Sequence, residues 1–222
     1  MPRSRKGEFY RPIDLDWWRR YLKKGCPDKN HHKDHVSLIS NLGYNLQYLE
    51  YLDYQCRDVL LHYSVRKITV KTFIVITMSV IEGIAFYLLT VNGRGKLKDW
   101  EEISTWVSNS KKIDGDDTRV RSILEKKLDK PIPDEMTLDG MIKKLEKSKL
   151  VSITTEDYQQ LRKFRRLRNK IHVYDVSHKM DTDWNSFELS VQEECRNVLG
   201  SFLKSDIFNP TDKDLEKLVW LN

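Results

Sequence analysis

From Val36 onward, apolar residues recur every three or four positions: Leu38, Leu42, Leu46, Leu49, Leu52, Cys56, Leu60 and Tyr63. That period places them on one face of a long amphipathic helix of the kind that builds bundles. A second long helix is predicted from about Thr69 to Val91. Ahead of both, Asp14 or Asp16 is positioned to cap a short helix carrying Trp17, Trp18, Tyr21 and Leu22, with Gly25 and Pro27 as its stop signals. Residues 26–33 read as a turn.

Beyond the breaker Asn92-Gly-Arg-Gly95, the spacing of Trp100, Ile103, Trp106 and Val107 predicts a short helix, and Lys111–Asp117 a loop. Val120, Ile123, Leu124 and Leu128 predict another helix, ended by Pro131 and Pro133. Thr137 then opens one with Leu138, Met141, Ile142 and Leu145 inward. Thr154 with Asp157 resembles a capping box, ahead of the stripe Tyr158, Leu161, Phe164, Leu167 or Arg168, and Ile171. Phe187, Val191, Cys195, Val198 and Phe202 mark a further long helix, and Pro210 sets off a short terminal one. With no strand series, repeat or long linker, the expected fold is an all-α up-and-down helical bundle with short accessory helices. It forms one domain over residues 1–222, with 1–33 as an arm and short helix and 93–153 as a candidate inserted helical subdomain.

Residues 73–91 are long and apolar enough to cross a bilayer, but Glu82 sits at their midpoint, where a carboxylate costs roughly 2.5–3.5 kcal/mol. Basic residues flank both ends, namely Arg66, Lys67 and Lys71 before and Arg94, Lys96 and Lys98 after, so no positive-inside asymmetry arises. A central bundle helix is expected and no membrane partner. The 222 residues carry 39 Lys and Arg against 33 Asp and Glu, a formal net charge of +6 that permits a polyanionic partner. Three dispersed cysteines, Cys26, Cys56 and Cys195, and a basic start without an apolar signal region point to a reducing, cytoplasmic setting. Residues 1–25 are predominantly basic and 181–222 predominantly acidic, a polarity that either orients a nucleic acid, pairs two chains or is simply solvated.

The segment Leu161–Asp175 is the most informative. Six of the ten residues from Leu161 to Lys170 are basic: Arg162, Lys163, Arg165, Arg166, Arg168 and Lys170. The apolar stripe persists through them, so the helix is expected to pair a core face with a cationic outer face. On a continuous helix Arg168 and His172 are neighbours, flanked by Arg165 and Asn169. Cleavage of a phosphodiester by its own 2′-hydroxyl needs a group of near-neutral pKa to move a proton and a fixed cation for the charge on phosphorus. His and Arg supply these. A solvated basic face with a surface histidine is the plainer alternative.

Arg168-Asn169 followed closely by His172, in a late helix of an all-α bundle, resembles the signature of the HEPN superfamily, in which Arg, often followed by a polar residue such as Asn, precedes His with four to six residues between them. Here Arg168 leaves three residues before His172 and Arg166 leaves five, so both arginines stay as candidates. Tyr174 resembles the His-x-Tyr extension of members that work beside nucleotidyltransferase antitoxins. Glu82 matches the acidic residue of an earlier core helix that approaches the Arg–His pair in some members, with a buried structural ion pair as the other reading. The resemblance implies a metal-independent endoribonuclease without cofactor, leaving a 2′,3′-cyclic phosphate and a 5′-hydroxyl, and acting as a homodimer on RNA, often as a toxin or in antiviral defence. Other members bind RNA or protein without cleaving. On this reading His172, Arg168 or Arg166, and Asn169 are catalytic, Glu82 and Tyr174 support them, and Arg162, Lys163, Arg165 and Lys170 attract phosphate.

Other candidates carry less. His31 and His35 share a helix face but lack a second ligand pair, and Asp34 between them suits a helix cap, so no metal site is expected. Tyr44, Tyr48 and Tyr51 lie on a face apart from the leucine stripe, suited to packing or to stacking on bases. Trp17-Trp18 either touch nucleic acid or anchor the first helix. No GxSxG, HExxH or GxxxxGK[ST] occurs, which disfavours those hydrolases and P-loop NTPases.

Overall fold

The computed structural model describes residues 10–28, 34–171 and 182–222. Helix α1 (Leu15–Gly25) is capped by Asp14, whose Oδ1 accepts from the backbone N–H groups of Asp16 and Trp17 at 2.8 and 3.1 Å. It buries Trp18, Tyr21 and Leu22, and Trp17 stacks on Tyr21 with ring centroids 5.0 Å apart, so the tryptophan pair anchors this helix. Gly25 is required where α1 meets the C-terminal region, because a Cβ there would lie 2.4 Å from the Phe208 ring.

Helix α2 (His35–Asp58) buries Leu42, Leu46, Leu49, Leu52 and Cys56 of the expected stripe. The stripe stops where the helix does: Leu60 lies beyond its end and is 96% exposed. Asp34 precedes α2 but its side chain makes no capping hydrogen bond. Helix α3 (Tyr63–Val91) starts six residues before the expected Thr69 and is the core of the bundle. Its buried residues, among them Val70, Phe73, Ile74, Met78, Ile81, Ile84, Tyr87 and Leu88, meet the other long helices on most sides, which accounts for a span apolar enough to suit a membrane by composition.

The all-α expectation fails between residues 96 and 134. Strands β1 (Lys96–Val107), β2 (Lys111–Ile113), β3 (Asp116–Thr118) and β4 (Arg121–Asp134) form two small antiparallel ladders, β1 with β4 and β2 with β3. They make one long ribbon whose tip is Asp114-Gly115, both at positive φ (52° and 92°). That dipeptide is a strong hairpin signal, because two consecutive residues at positive φ give a turn whose twist matches the flanking strands. The helices expected around Trp100–Val107 and Val120–Leu128, and the loop at Lys111–Asp117, are therefore strands and turn. The fold is mixed, with eight α-helices and a two-stranded ribbon among the described residues.

After the ribbon the chain rejoins the bundle. Helix α4 (Leu138–Ser148) starts at Thr137, whose Oγ1 accepts from the Gly140 N–H, and buries Leu138, Met141, Ile142 and Leu145. Residues 93–153 thus divide between a projecting ribbon and a bundle helix. Helix α5 (Thr155–Asn169) opens with the expected reciprocal box between Thr154 and Asp157 and buries Tyr158, Leu161 and Phe164. After α6 (Asp183–Ser186), α7 (Leu189–Leu203) buries Cys195, Val198 and Phe202 against α3 and α5. The short α8 (Asp212–Lys217) and a closing turn complete the chain, and Gly200 makes room for Leu221, whose carbonyl oxygen would lie 2.6 Å from a Cβ.

A polar clamp joins α2 to α7. Fully buried Asp53 accepts from Gln192 Nε2 at 2.7 Å and Arg196 Nη1 at 3.1 Å, and pairs with Arg57 at 2.5 Å. Lys24 on α1 pairs with Asp214 on α8 at 2.7 Å, so the basic and acidic ends of the sequence meet within one chain at this point.

Candidate functional site

Because α5 lies beside α3, α4 and α7 with its apolar stripe inward, its basic side chains emerge along the seams with those helices. Acidic residues wait on the other side of most seams. Arg162 pairs with Glu146 and Arg165 with Asp139 at 3.1 Å, both on α4. Lys163 pairs with Glu194 on α7, and Lys170 Nζ donates to Ser186 Oγ at 3.0 Å beside α6. Thus Arg162, Lys163 and Arg165, expected to attract phosphate, are held in interhelical ion pairs. Among the described residues only Arg166 of the six makes no ion pair or side-chain hydrogen bond, and it is exposed.

Arg168 reaches α3. Its guanidinium forks onto Glu82, Nη2 to Oε2 at 2.8 Å and Nη1 to Oε1 at 3.3 Å. The pair is partly open to solvent, with the two side chains 30% and 27% exposed. It is therefore not the fully buried structural pair that an acid in an apolar helix suggests. An open pair of this kind contributes about 0–1 kcal/mol to stability. Glu82 also lines an open groove of about 400 Å³ with Leu38, Ser79, Gly83, Phe86 and Met141 among its walls. A smaller, more enclosed hollow of about 150 Å³ shares Leu38, Ser79 and Gly83 with it and reaches Asn41 and Asn45.

Helix α5 ends at Asn169, with Lys170 as its C-cap. On an ideal helix Arg166 and Arg168 point about 200° apart, which agrees with one facing solvent while the other meets Glu82. Asn169 is exposed at the last turn. The continuous helix that would make Arg168 and His172 neighbours stops three residues short of the histidine, and His172 and Tyr174 lie outside the described residues. The structure brings together Arg168 and Glu82, with Asn169 one residue along, and separates them from Arg162 and Arg165, which face α4.

A second polar cluster, not anticipated from sequence, lies where the start of α3 meets α6. Lys67 sits over the rings of Tyr63 (4.8 Å) and Trp184 (5.6 Å) and pairs with Glu188, while Lys71 pairs with Asp183 at 2.9 Å. The hydrogen bond from Lys67 holds the Glu188 carboxyl below its ordinary range. The signal in the sequence is the set Arg66, Lys67 and Lys71, which also serves as a basic flank of the apolar span.

The remaining candidates resolve into packing or surface. His35 is buried with Nε2 2.7 Å from the Cys26 carbonyl oxygen, a core histidine with its partner. His31 and His32 lie outside the described residues, and among those described no group of three or more His, Cys, Asp or Glu could hold a metal ion. Tyr44, Tyr48 and Tyr51 are 54%, 44% and 37% exposed, on the surface of α2 rather than in a second core face. Tyr48 and Tyr51 stack at 6.3 Å, and Tyr10 packs on Tyr54 at 4.7 Å.

Comparison with protein-family models, with curated proteins and with solved structures finds no match.

Proposed function

We propose that the protein is a HEPN-like, metal-independent endoribonuclease acting on RNA as a homodimer, with His172 as general acid/base and Arg168 as the phosphate-stabilising cation. The observation that carries this reading is the fork of Arg168 onto Glu82, which itself lines an open groove. Glu82 is the one acidic residue of α3 and contributes little to stability from that position. Its role in this account is to fix the guanidinium, leaving three of the five N–H donors for phosphate oxygens. Asn169 is placed to hydrogen-bond the substrate, and exposed Arg166 supplies a further phosphate contact.

In the reaction the 2′-hydroxyl oxygen bonds to phosphorus and gives its proton to His172. The bond from phosphorus to the 5′-oxygen breaks, and that oxygen takes the proton from the His172 imidazolium, which returns to its neutral form. The products are a 2′,3′-cyclic phosphate and a 5′-hydroxyl, with no redox change and no co-reactant. A toxin or defence role, with or without a nucleotidyltransferase antitoxin beside Tyr174, is compatible with this chemistry.

One observation favours a second reading, a non-catalytic RNA- or protein-binding module. Four of the five basic residues of α5 are in ion pairs with neighbouring helices, as a structural helix requires. Cleavage of a mixed RNA pool in EDTA by wild type and His172→Ala, with analysis of the fragment ends, separates the two. The ribonuclease reading expects cyclic-phosphate ends from wild type alone. Equal RNA binding by both proteins without cleavage would replace it with the binding module.

A further inference from the structure

The ribbon formed by β1 and β4 lacks the support that a hairpin of its length needs. Strand β1 packs against β4 and makes no substantial contact with a helix, and Trp100, Ile103 and Trp106 are 48%, 58% and 56% exposed. An isolated pair of strands is marginal in water, and three or more are needed for independent stability. Each strand of an antiparallel pair also turns alternate N–H and C=O groups away from its partner, so the ribbon has two free edges.

The two edges are not alike. Strand β4 carries Arg121, Lys126, Lys127 and Lys130, and Pro131 and Pro133 lack an N–H, all devices that discourage pairing. Strand β1 has no proline, and its second half, Ile103-Ser-Thr-Trp-Val107, is uncharged and rich in strand-forming residues. The register skips Ile103, which has no residue opposite it on β4.

The sequence of β1 is also self-complementary about Ile103. Antiparallel pairing of two copies centred there sets Trp100 against Trp106, Glu101 against Thr105, Glu102 against Ser104 and Asp99 against Val107. Carboxylates meet hydroxyls, aromatic rings meet, and no like charges are opposed. Centring on Glu101 instead would set that carboxylate against its own copy. We propose that β1 is a homodimerisation edge: two chains join β1 to β1 antiparallel about Ile103, converting two ribbons into one four-stranded sheet with a twofold axis at Ile103. The homodimer itself is shared with the ribonuclease reading, but this interface involves neither Arg168 nor the groove, so loss of the Ile103 cross-link with cleavage intact removes the interface alone, and loss of cleavage with the cross-link intact removes the ribonuclease alone.

The test uses the full chain. Residues facing each other across an antiparallel pair have Cα atoms about 4.5–5.5 Å apart, within the range of a disulfide. Mild oxidation of Ile103→Cys is compared with Lys127→Cys on β4. The native thiols are buried, and burial pushes Cys26, Cys56 and Cys195 up to about 12, 11 and 12, so they stay out of exchange. Ile103→Cys is expected to give a covalent dimer at about tenfold higher yield than Lys127→Cys. In sedimentation equilibrium, Ile103→Lys is expected to move the monomer–dimer midpoint to about tenfold higher concentration, with the helical circular dichroism unchanged. Equal cross-linking of the two cysteine variants overturns the proposal, as does a dimer indifferent to Ile103→Lys. A wild type that stays monomeric while added single-stranded RNA protects β1 from hydrogen exchange would also overturn it and assign the edge to nucleic acid.

Discussion

Single side chains carry unequal burdens here, and burial decides which matter. Asp53 has 0% exposure and three partners, two of them arginines. Removing its carboxylate strands Arg196 in the core, so Asp53→Ala is expected to cost about 3–5 kcal/mol in urea denaturation. The Glu82–Arg168 pair is open to solvent, so Glu82→Gln should leave stability within about 1 kcal/mol of wild type while lowering any cleavage rate. A loss of stability like that of Asp53→Ala would make the pair structural. The arginines of α5 show what sequence can and cannot reveal at this scale. Their helix, its capping box and the Glu82–arginine pairing were legible from spacing and from an acid in an apolar run. Their partners were not, because Glu146, Asp139 and Glu194 look like ordinary surface acids until α4 and α7 are packed beside α5.

At the scale of elements, the ribbon and the bundle are separable. Lys96 and Asp134 are register partners and are joined by an ion pair at 2.5 Å, so the ribbon begins and ends at nearly the same point. Replacing residues 97–133 with a short Gly-Ser turn should leave the helical signal and melting temperature of the bundle nearly unchanged; loss of cooperative melting would show that the ribbon is part of the core. The bundle helices were readable because each has one buried face, which imposes a period near 3.6 on its apolar residues. The ribbon was misread for the converse reason. Exposed on both faces, it has no buried side to impose a period of two, and the bulge at Ile103 leaves Trp100, Ile103 and Trp106 at a spacing that mimics a helix turn. The informative residues were Asp114-Gly115, whose turn chemistry outweighs that spacing.

For the whole molecule, its carboxylate ion pairs set how it responds to acid and salt. Hydrogen bonds from Lys143 to Asp139 and from Lys67 to Glu188 hold both carboxyls below their ordinary range, and Arg165 adds to the effect at Asp139. A carboxylate with a depressed folded pKa contributes stability that is present above its unfolded value and is lost as pH falls through the folded one. The stability that rests on Asp139 and Glu188 should therefore hold down to the ordinary carboxylate range near pH 4 and be lost below it, whereas Asp53 and Glu50, whose carboxyls burial pushes up, act in the opposite sense; an Asp139→Asn, Glu188→Gln variant whose melting temperature falls below pH 4 as steeply as that of wild type would contradict these assignments. The same pairing predicts that RNA affinity depends on salt with the slope of a few phosphate contacts rather than six. The most direct test of the account is single-turnover cleavage of a short RNA by wild type, Arg168→Ala and Arg166→Ala. The account predicts a loss of about 10²–10³-fold for Arg168→Ala and a much smaller one for Arg166→Ala. The reverse order, or full activity without Arg168, would contradict it.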